Sequence, residues 1–142
     1  MTVPVRDLAA AGPLSGPLRL ALAAEILVAY ARTRWLLRQP DFRRTLERAS
    51  AGGTRASNQG RDAALAARRL ARAVARTLAL LPTDSRCLVR SLVLTSMLSR
   101  RGIESRLVVG VRPGTRFAAH AWVEQEGVPL FDPAGFERLL EH

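Results

Sequence analysis

The chain has 142 residues, of which 48% are hydrophobic and 24% are charged. This length and balance predict one domain with one core, and they exclude the polar bias of a disordered protein. The formal net charge is +10, and all 22 basic residues are Arg. Aromatic residues make up only 5% of the chain, and no groove-reading motif accompanies the Arg residues. We therefore expect no nucleic acid among its partners.

A single Cys excludes an internal disulfide, and residues 1–14 lack the pattern of an export signal. A cytoplasmic protein is therefore expected. The most apolar stretch, residues 18–31, is interrupted by Arg19 and Glu25 and is too short to span a membrane. One Cys and one internal His do not make a zinc site, and no phosphate-binding glycine loop is present. We predict neither a metal nor a cofactor.

The first half of the chain is predicted to be mostly helical. Residues 1–16 contain Pro and Gly and predict an irregular lead-in, after which a long helix starts near Pro17 and ends at Arg38. A shorter helix is predicted over residues 41–49, and residues 50–60 have the composition of a flexible loop. We thus predict one compact domain with three parts. These are a lead-in (residues 1–16), an N-terminal helical segment with its loop (residues 17–61) and a core (residues 62–142).

The core begins with a second long helix. Apolar residues recur there at three- and four-residue steps as far as Leu81, which predicts one buried stripe. Arg68, Arg72 and Arg76 follow another face at four-residue spacing. A solvated charged face is the simpler interpretation, and the alternative is a dock for an acidic segment of a partner.

A third long helix is predicted to begin near residues 83–85 and to end at Gly102, which places Cys87 in its first turn. Apolar runs beyond it predict three antiparallel strands, over residues 107–111, 117–123 and 128–131. Glu126 and Gly127 form a tight turn between the last two strands. Helices followed by a small antiparallel sheet make an α+β fold.

Three residues of the core can together perform thiol-based acyl chemistry. The unpaired N–H groups and positive dipole of a helix start stabilise a thiolate at Cys87. His120 is the internal candidate for the base that such a nucleophile needs, since His142 is the last residue. A hairpin would bring the Asp132 carboxylate near His120 and hold the imidazole in the productive tautomer. Singly, each has a simpler interpretation, as a buried Cys, a packed His and a turn-forming Asp; together they make one coherent site.

A family resemblance rests on residues 87–92, on residues 107–111 and above all on Ala-His-Ala-Trp-Val-Glu at residues 119–124, followed by Gly127 and Asp132. These segments resemble the lasso-peptide leader peptidases, a compact branch of the transglutaminase-like superfamily. The resemblance implies a papain-like, transglutaminase-like core that supplies Cys from a helix and His and Asp from neighbouring strands.

By this resemblance, which covers about residues 62–135, Cys87 is the nucleophile, His120 the general base and acid, and Asp132 the residue that orients the imidazole. The implied enzyme is a cysteine protease that removes the leader from a ribosomally made lasso precursor peptide. A partner cyclase of the asparagine-synthetase type then closes the macrolactam ring. We also expect a separate leader-recognition protein as a partner, because no room for a recognition domain is found ahead of the core.

Other functions stay open at this point. An acyltransferase would use the same three residues and pass the thioester to an amine instead of water. A non-catalytic scaffold would use the Arg-rich helices to hold an acidic peptide or a partner protein. The apolar surface of residues 18–37 is either buried against the core or docks such a partner.

Two details of the candidate site are also open. An oxyanion hole needs a second donor besides the Cys87 N–H, and Asn58 and Gln59 reach the site only if the flexible loop folds over it. Trp122 shares a sheet face with His120, and core packing beside the site is its simpler interpretation.

Overall fold

The computed structural model describes residues 2–41, 44, 59–82, 87–112, 118–132 and 137–141. These residues form four helices and one four-stranded antiparallel sheet. The helices are α1 (Val5–Ala9), α2 (Gly16–Leu37), α3 (Arg61–Ala79) and α4 (Cys87–Ser99). The strands are β1 (Arg106–Arg112), β2 (Ala118–Gln125), β3 (Val128–Pro129) and β4 (Glu137–Glu141), in the spatial order β3-β2-β1-β4. The predicted α+β class is confirmed.

Helix α4 lies between the sheet and the other helices, in contact with β1 and β2 and with α2 and α3. Because it packs on several sides, its apolar residues surround most of the helix instead of forming one stripe. Those that are buried are Val89, Leu92, Val93, Leu94, Met97 and Leu98. The helix ends as predicted: Gly102 has a φ of 65°, and the Ile103 N–H donates to the Leu98 carbonyl.

Helices α2 and α3 match their predicted positions. The stripe that predicted α3 is buried, and it consists of Ala63, Ala67, Leu70, Val74 and Leu78. Helix α2 buries Leu22, Ile26 and Ala29 but exposes large apolar side chains elsewhere, including Trp35 at 62%. Part of its apolar surface is therefore buried against the core, and docking of a partner on the exposed part stays a prediction. No helix of the described ranges is long and apolar enough to cross a membrane.

The lead-in differs from the irregular segment predicted over residues 1–16. Residues 5–9 form α1, and Val3 is held by a buried ion pair between Arg101 Nη2 and Glu25 Oε2, which lie 2.8 Å apart. The Val3 N–H donates to Glu25 Oε2 over 3.3 Å, and Arg101 Nε donates to the Val3 carbonyl over 3.0 Å. Local sequence does not reveal this anchor, because its two partners lie 22 and 98 residues from Val3.

Of the helix predicted over residues 41–49, only residues 41 and 44 are among the described residues. Of the loop predicted over residues 50–60, only residues 59 and 60 are described. Both predictions otherwise lie outside the described residues.

Strand β1 is central and pairs with β2 on one side and β4 on the other. The turn between β2 and β3 was predicted correctly: Glu126 and Gly127 have φ values of 50° and 77°, the left-handed conformations of a two-residue hairpin turn. Strand β3 is shorter than predicted, although the Leu130 N–H still donates to the Val123 carbonyl over 2.8 Å. Strand β4 was not predicted, since its Leu140 meets Val109 only through long-range pairing.

Candidate active site

Two contacts between α4 and β2 place Cys87 beside the strand that carries His120. The Cys87 Sγ atom lies 3.4 Å from the backbone nitrogen of Ala121, the residue after His120. One helical turn further, the Ser91 hydroxyl donates to the Ala121 carbonyl over 3.0 Å. Residues four apart on a helix share a face, so Cys87 and Ser91 meet the N–H and the C=O of the same strand residue. This double contact sets the position of the sulfur relative to β2.

His120 is half-buried, and its Nε2 atom lies 3.0 Å from the main-chain carbonyl oxygen of Asp132. A carbonyl only accepts hydrogen bonds, so this contact requires the proton on Nε2. In the neutral ring, Nδ1 then holds the lone pair that can accept a thiol proton. The contact places Asp132 beside His120, where the sequence analysis expected it. That the Asp132 carboxylate orients the imidazole stays a prediction.

One face of β2 supports the imidazole. The rings of His120 and Trp122 are stacked, with centroids 6.0 Å apart and planes inclined by 24°. Trp122 is buried, as predicted, and its Nε1–H donates to Glu124 Oε1 over 2.9 Å. Gly110 of β1 pairs directly with His120, so the residue opposite the ring has no side chain. The sequence analysis did not identify Glu124 or Gly110 as neighbours of the site. Glu124 could have been found, because a residue four positions after His120 on a strand lies on the same face.

Arg90 supports the same site from α4. Its Cζ atom lies 4.5 Å from the ring centroid of Phe131, which directly precedes Asp132. A cation–π contact of this kind contributes about 0.5–2 kcal/mol. Arg90 thus packs against the segment that carries the Asp132 carbonyl.

Gln59 is not positioned to complete an oxyanion hole. It lines a cavity of about 350 Å³ together with Glu124 and Gln125, at the far end of β2. At the rise of a β-strand, these two residues lie roughly 13–17 Å along the strand from His120. Asn58 lies outside the described residues. In the described part of the chain, no group of three or more His, Cys, Asp or Glu side chains is arranged to hold a metal ion.

Replacing Ser91 with Ala is expected to slow the alkylation of Cys87 by iodoacetamide by about tenfold, because a shifted sulfur is less well placed for proton transfer to His120. It should also lower the free energy of unfolding by about 1–3 kcal/mol, since the buried Ala121 carbonyl loses its donor. Mass spectrometry and urea unfolding measure the two effects.

The matched control is Ser96→Ala, whose hydroxyl bonds the Val93 carbonyl within α4 and does not meet β2. It should leave the alkylation rate unchanged. Ser91→Thr keeps the hydroxyl and should restore much of the rate. An unchanged rate in Ser91→Ala would show that Ser91 does not position the sulfur.

A family model described as the transglutaminase-like superfamily matches residues 24–141, a range that includes Cys87, His120 and Asp132. No curated protein and no solved structure matches the chain significantly. The helix-borne Cys beside a strand-borne His, and the α+β architecture around them, agree with that match. The chain belongs to the transglutaminase-like superfamily, which includes cysteine peptidases and acyltransferases.

Proposed function

We propose that the chain is a cysteine peptidase that removes the leader from a ribosomally synthesised lasso precursor peptide. The observation that carries the chemistry is the contact of Cys87 Sγ with the backbone nitrogen of Ala121, beside His120. Membership of the superfamily supports a thiol nucleophile. The similarity of residues 119–124 to the lasso-peptide leader peptidases supports the substrate. We place the reaction in the cytosol, where a thiol stays reduced.

In the proposed reaction, His120 Nδ1 accepts the Cys87 proton while the sulfur attacks the carbonyl carbon at the end of the leader. The resulting oxyanion collapses, the C–N bond breaks, and His120 gives its proton to the leaving amine. This leaves the leader bound to Cys87 as a thioester. Water then gives a proton to His120 and attacks the thioester, which releases the leader carboxylate and restores the thiol.

The test incubates the protein with a lasso precursor peptide and its leader-recognition protein in heavy-oxygen water. We expect a leader whose new carboxylate contains one heavy oxygen, because water is the acceptor of the acyl group. Mass spectrometry separates this product from the new amide that an acyltransferase would form with an added amine. An intact precursor would contradict the proposal, and an amide product would make the chain a transferase.

We propose that the leader-recognition protein is a direct partner and that the lasso cyclase acts on the cleaved product. The exposed face of α2 supports the first contact. It carries Leu20, Leu27, Val28 and Trp35 at seven- and eight-residue steps, which keep them on one side of the helix over roughly 22 Å. An exposed apolar strip of this length is typical of a protein-binding surface.

Trp35→Glu is expected to lower the rate of precursor cleavage by about tenfold when the recognition protein is present. A Trp buried in an interface contributes about 2 kcal/mol to the binding free energy. Iodoacetamide labelling of Cys87 should be unchanged. Leu80→Glu alters an apolar residue outside this face that is even more exposed than Trp35, and it serves as the control. Equal cleavage by both variants would contradict docking at α2.

A further inference from the structure

A second cavity lies between α2 and α3, and none of its lining residues belongs to the candidate active site. Its volume is about 440 Å³. Four Arg residues line it, namely Arg19 of α2 and Arg69, Arg72 and Arg76 of α3. Leu14 of the lead-in and Ala73 of α3, both half-buried, form its apolar floor above the buried Leu22 and Ile26. We call this cavity the Arg groove.

The Arg groove concentrates positive charge without an internal counterion. None of the described residues that line it is acidic, and no described Asp or Glu side chain forms an ion pair with any of its four Arg residues. Like charges at three- and four-residue steps on a helix repel one another. An anionic ligand in the groove would therefore remove a repulsion in addition to forming new contacts.

Arg69 shows that part of the groove is preformed. Its Nη1 atom donates to the Ala10 carbonyl over 3.0 Å, which ties this guanidinium to the lead-in. Arg72 and Arg76 are exposed, so their guanidinium groups are free to turn toward a ligand. The planar guanidinium group binds carboxylates through paired hydrogen bonds.

The apolar floor distinguishes a peptide from other polyanions. A cavity of this volume lies in the range that binds small ligands and single side chains. A single-stranded nucleic acid would need stacking surfaces for its bases, and no described lining residue is aromatic. We infer that the Arg groove binds an acidic segment of another polypeptide, with carboxylates on the Arg residues and one large apolar side chain on Leu14 and Ala73.

The three Arg residues that the sequence spaces four apart along α3 do not all line the groove. Arg72 and Arg76 line the groove, whereas Arg68 does not, although all three have the same charge and spacing. Arg68 is exposed on the same helix, so Arg68→Ala is a control that removes one positive charge outside the groove.

The test measures fluorescence anisotropy of a short fluorescein-labelled peptide that is rich in Glu and has one central Phe, with the full chain. Arg72→Ala combined with Arg76→Ala should weaken binding by at least about tenfold, the loss expected for one charge-assisted hydrogen bond. Arg68→Ala should change the affinity by less than about twofold, as for an exposed charge. Replacing the Phe of the peptide with Ser should also weaken binding, and Cys87→Ala should not.

Circular dichroism checks that the variants remain folded. Equal affinity of the Arg68→Ala and Arg72→Ala/Arg76→Ala chains would overturn the inference. So would an unchanged affinity for the Ser-containing peptide, because the apolar floor would then play no part. Tighter binding of duplex DNA or of phosphatidylglycerol vesicles, with the same dependence on Arg72 and Arg76, would assign the groove to a different polyanion. Loss of binding in Cys87→Ala would place the peptide in the active site instead.

Discussion

Replacing Cys87 with Ala is expected to lower kcat/KM for precursor cleavage by at least about 1,000-fold, because no other side chain at the junction of α4 and β2 forms a thioester. His120→Ala should cause a loss of similar size, since both chemical steps need its proton transfer. Residues that act as one unit are not additive, so the double variant should be hardly worse than either single variant. Peptide cleavage followed by liquid chromatography measures all three.

Asp132→Ala sharpens this test, because it removes the carboxylate and keeps the main-chain carbonyl that lies 3.0 Å from His120 Nε2. We expect it to lose less activity than His120→Ala. A loss as large as that of His120→Ala would show that the carboxylate orients the imidazole, as the sequence first suggested. Cleavage by Cys87→Ala at the rate of the unmodified chain would refute the proposed peptidase outright.

The largest loss of stability is expected from breaking the buried ion pair between Glu25 and Arg101. The Glu25 and Arg101 side chains are 4% and 1% exposed, and Arg101 also donates to the carbonyls of Val3 and Met97. Arg101→Met leaves the Glu25 carboxylate buried without its countercharge and should lower the free energy of unfolding by about 3–5 kcal/mol. Urea unfolding, followed by circular dichroism, gives this value.

Combining Glu25→Leu with Arg101→Met should recover much of that loss, because two apolar side chains need no countercharge. Glu25 Oε1 has no hydrogen-bond partner among the described residues, so the native pair is itself incompletely compensated. Arg6→Ala is the surface control: Arg6 pairs with Asp7 while 87% exposed, and its loss should cost less than about 1 kcal/mol. A cost below about 1 kcal/mol for Arg101→Met would contradict the anchoring role of the pair.

Sequence patterns predicted the helices and turns that neighbouring residues determine. The buried stripe of α3 and the end of α4 at Gly102 follow from spacing and from a left-handed conformation that Gly tolerates. The missed elements depend on distant partners. Helix α1 has five residues, too few for a reliable period, and is anchored through Val3 to Arg101. Strand β4 is defined by its pairing with β1.

The candidate site follows the same division. The side-chain chemistry of Cys87 and His120 and their order along the chain were sufficient to select them. The contact between the Asp132 carbonyl and His120 was not predictable, since every residue type has the same main-chain carbonyl. Ser91 was missed because an ordinary helix Ser gains its role only where Ala121 of β2 meets α4.

The most direct test of thiol-based acyl transfer is to isolate the covalent intermediate. The protein is mixed with the precursor peptide and its recognition protein, quenched in acid, digested and examined by mass spectrometry. We predict that the peptide containing Cys87 carries the leader in a linkage that hydroxylamine removes, as it does a thioester. Cleavage of the precursor in the same samples, with no leader on Cys87 at any time and undiminished activity in Cys87→Ala, would contradict the proposed mechanism.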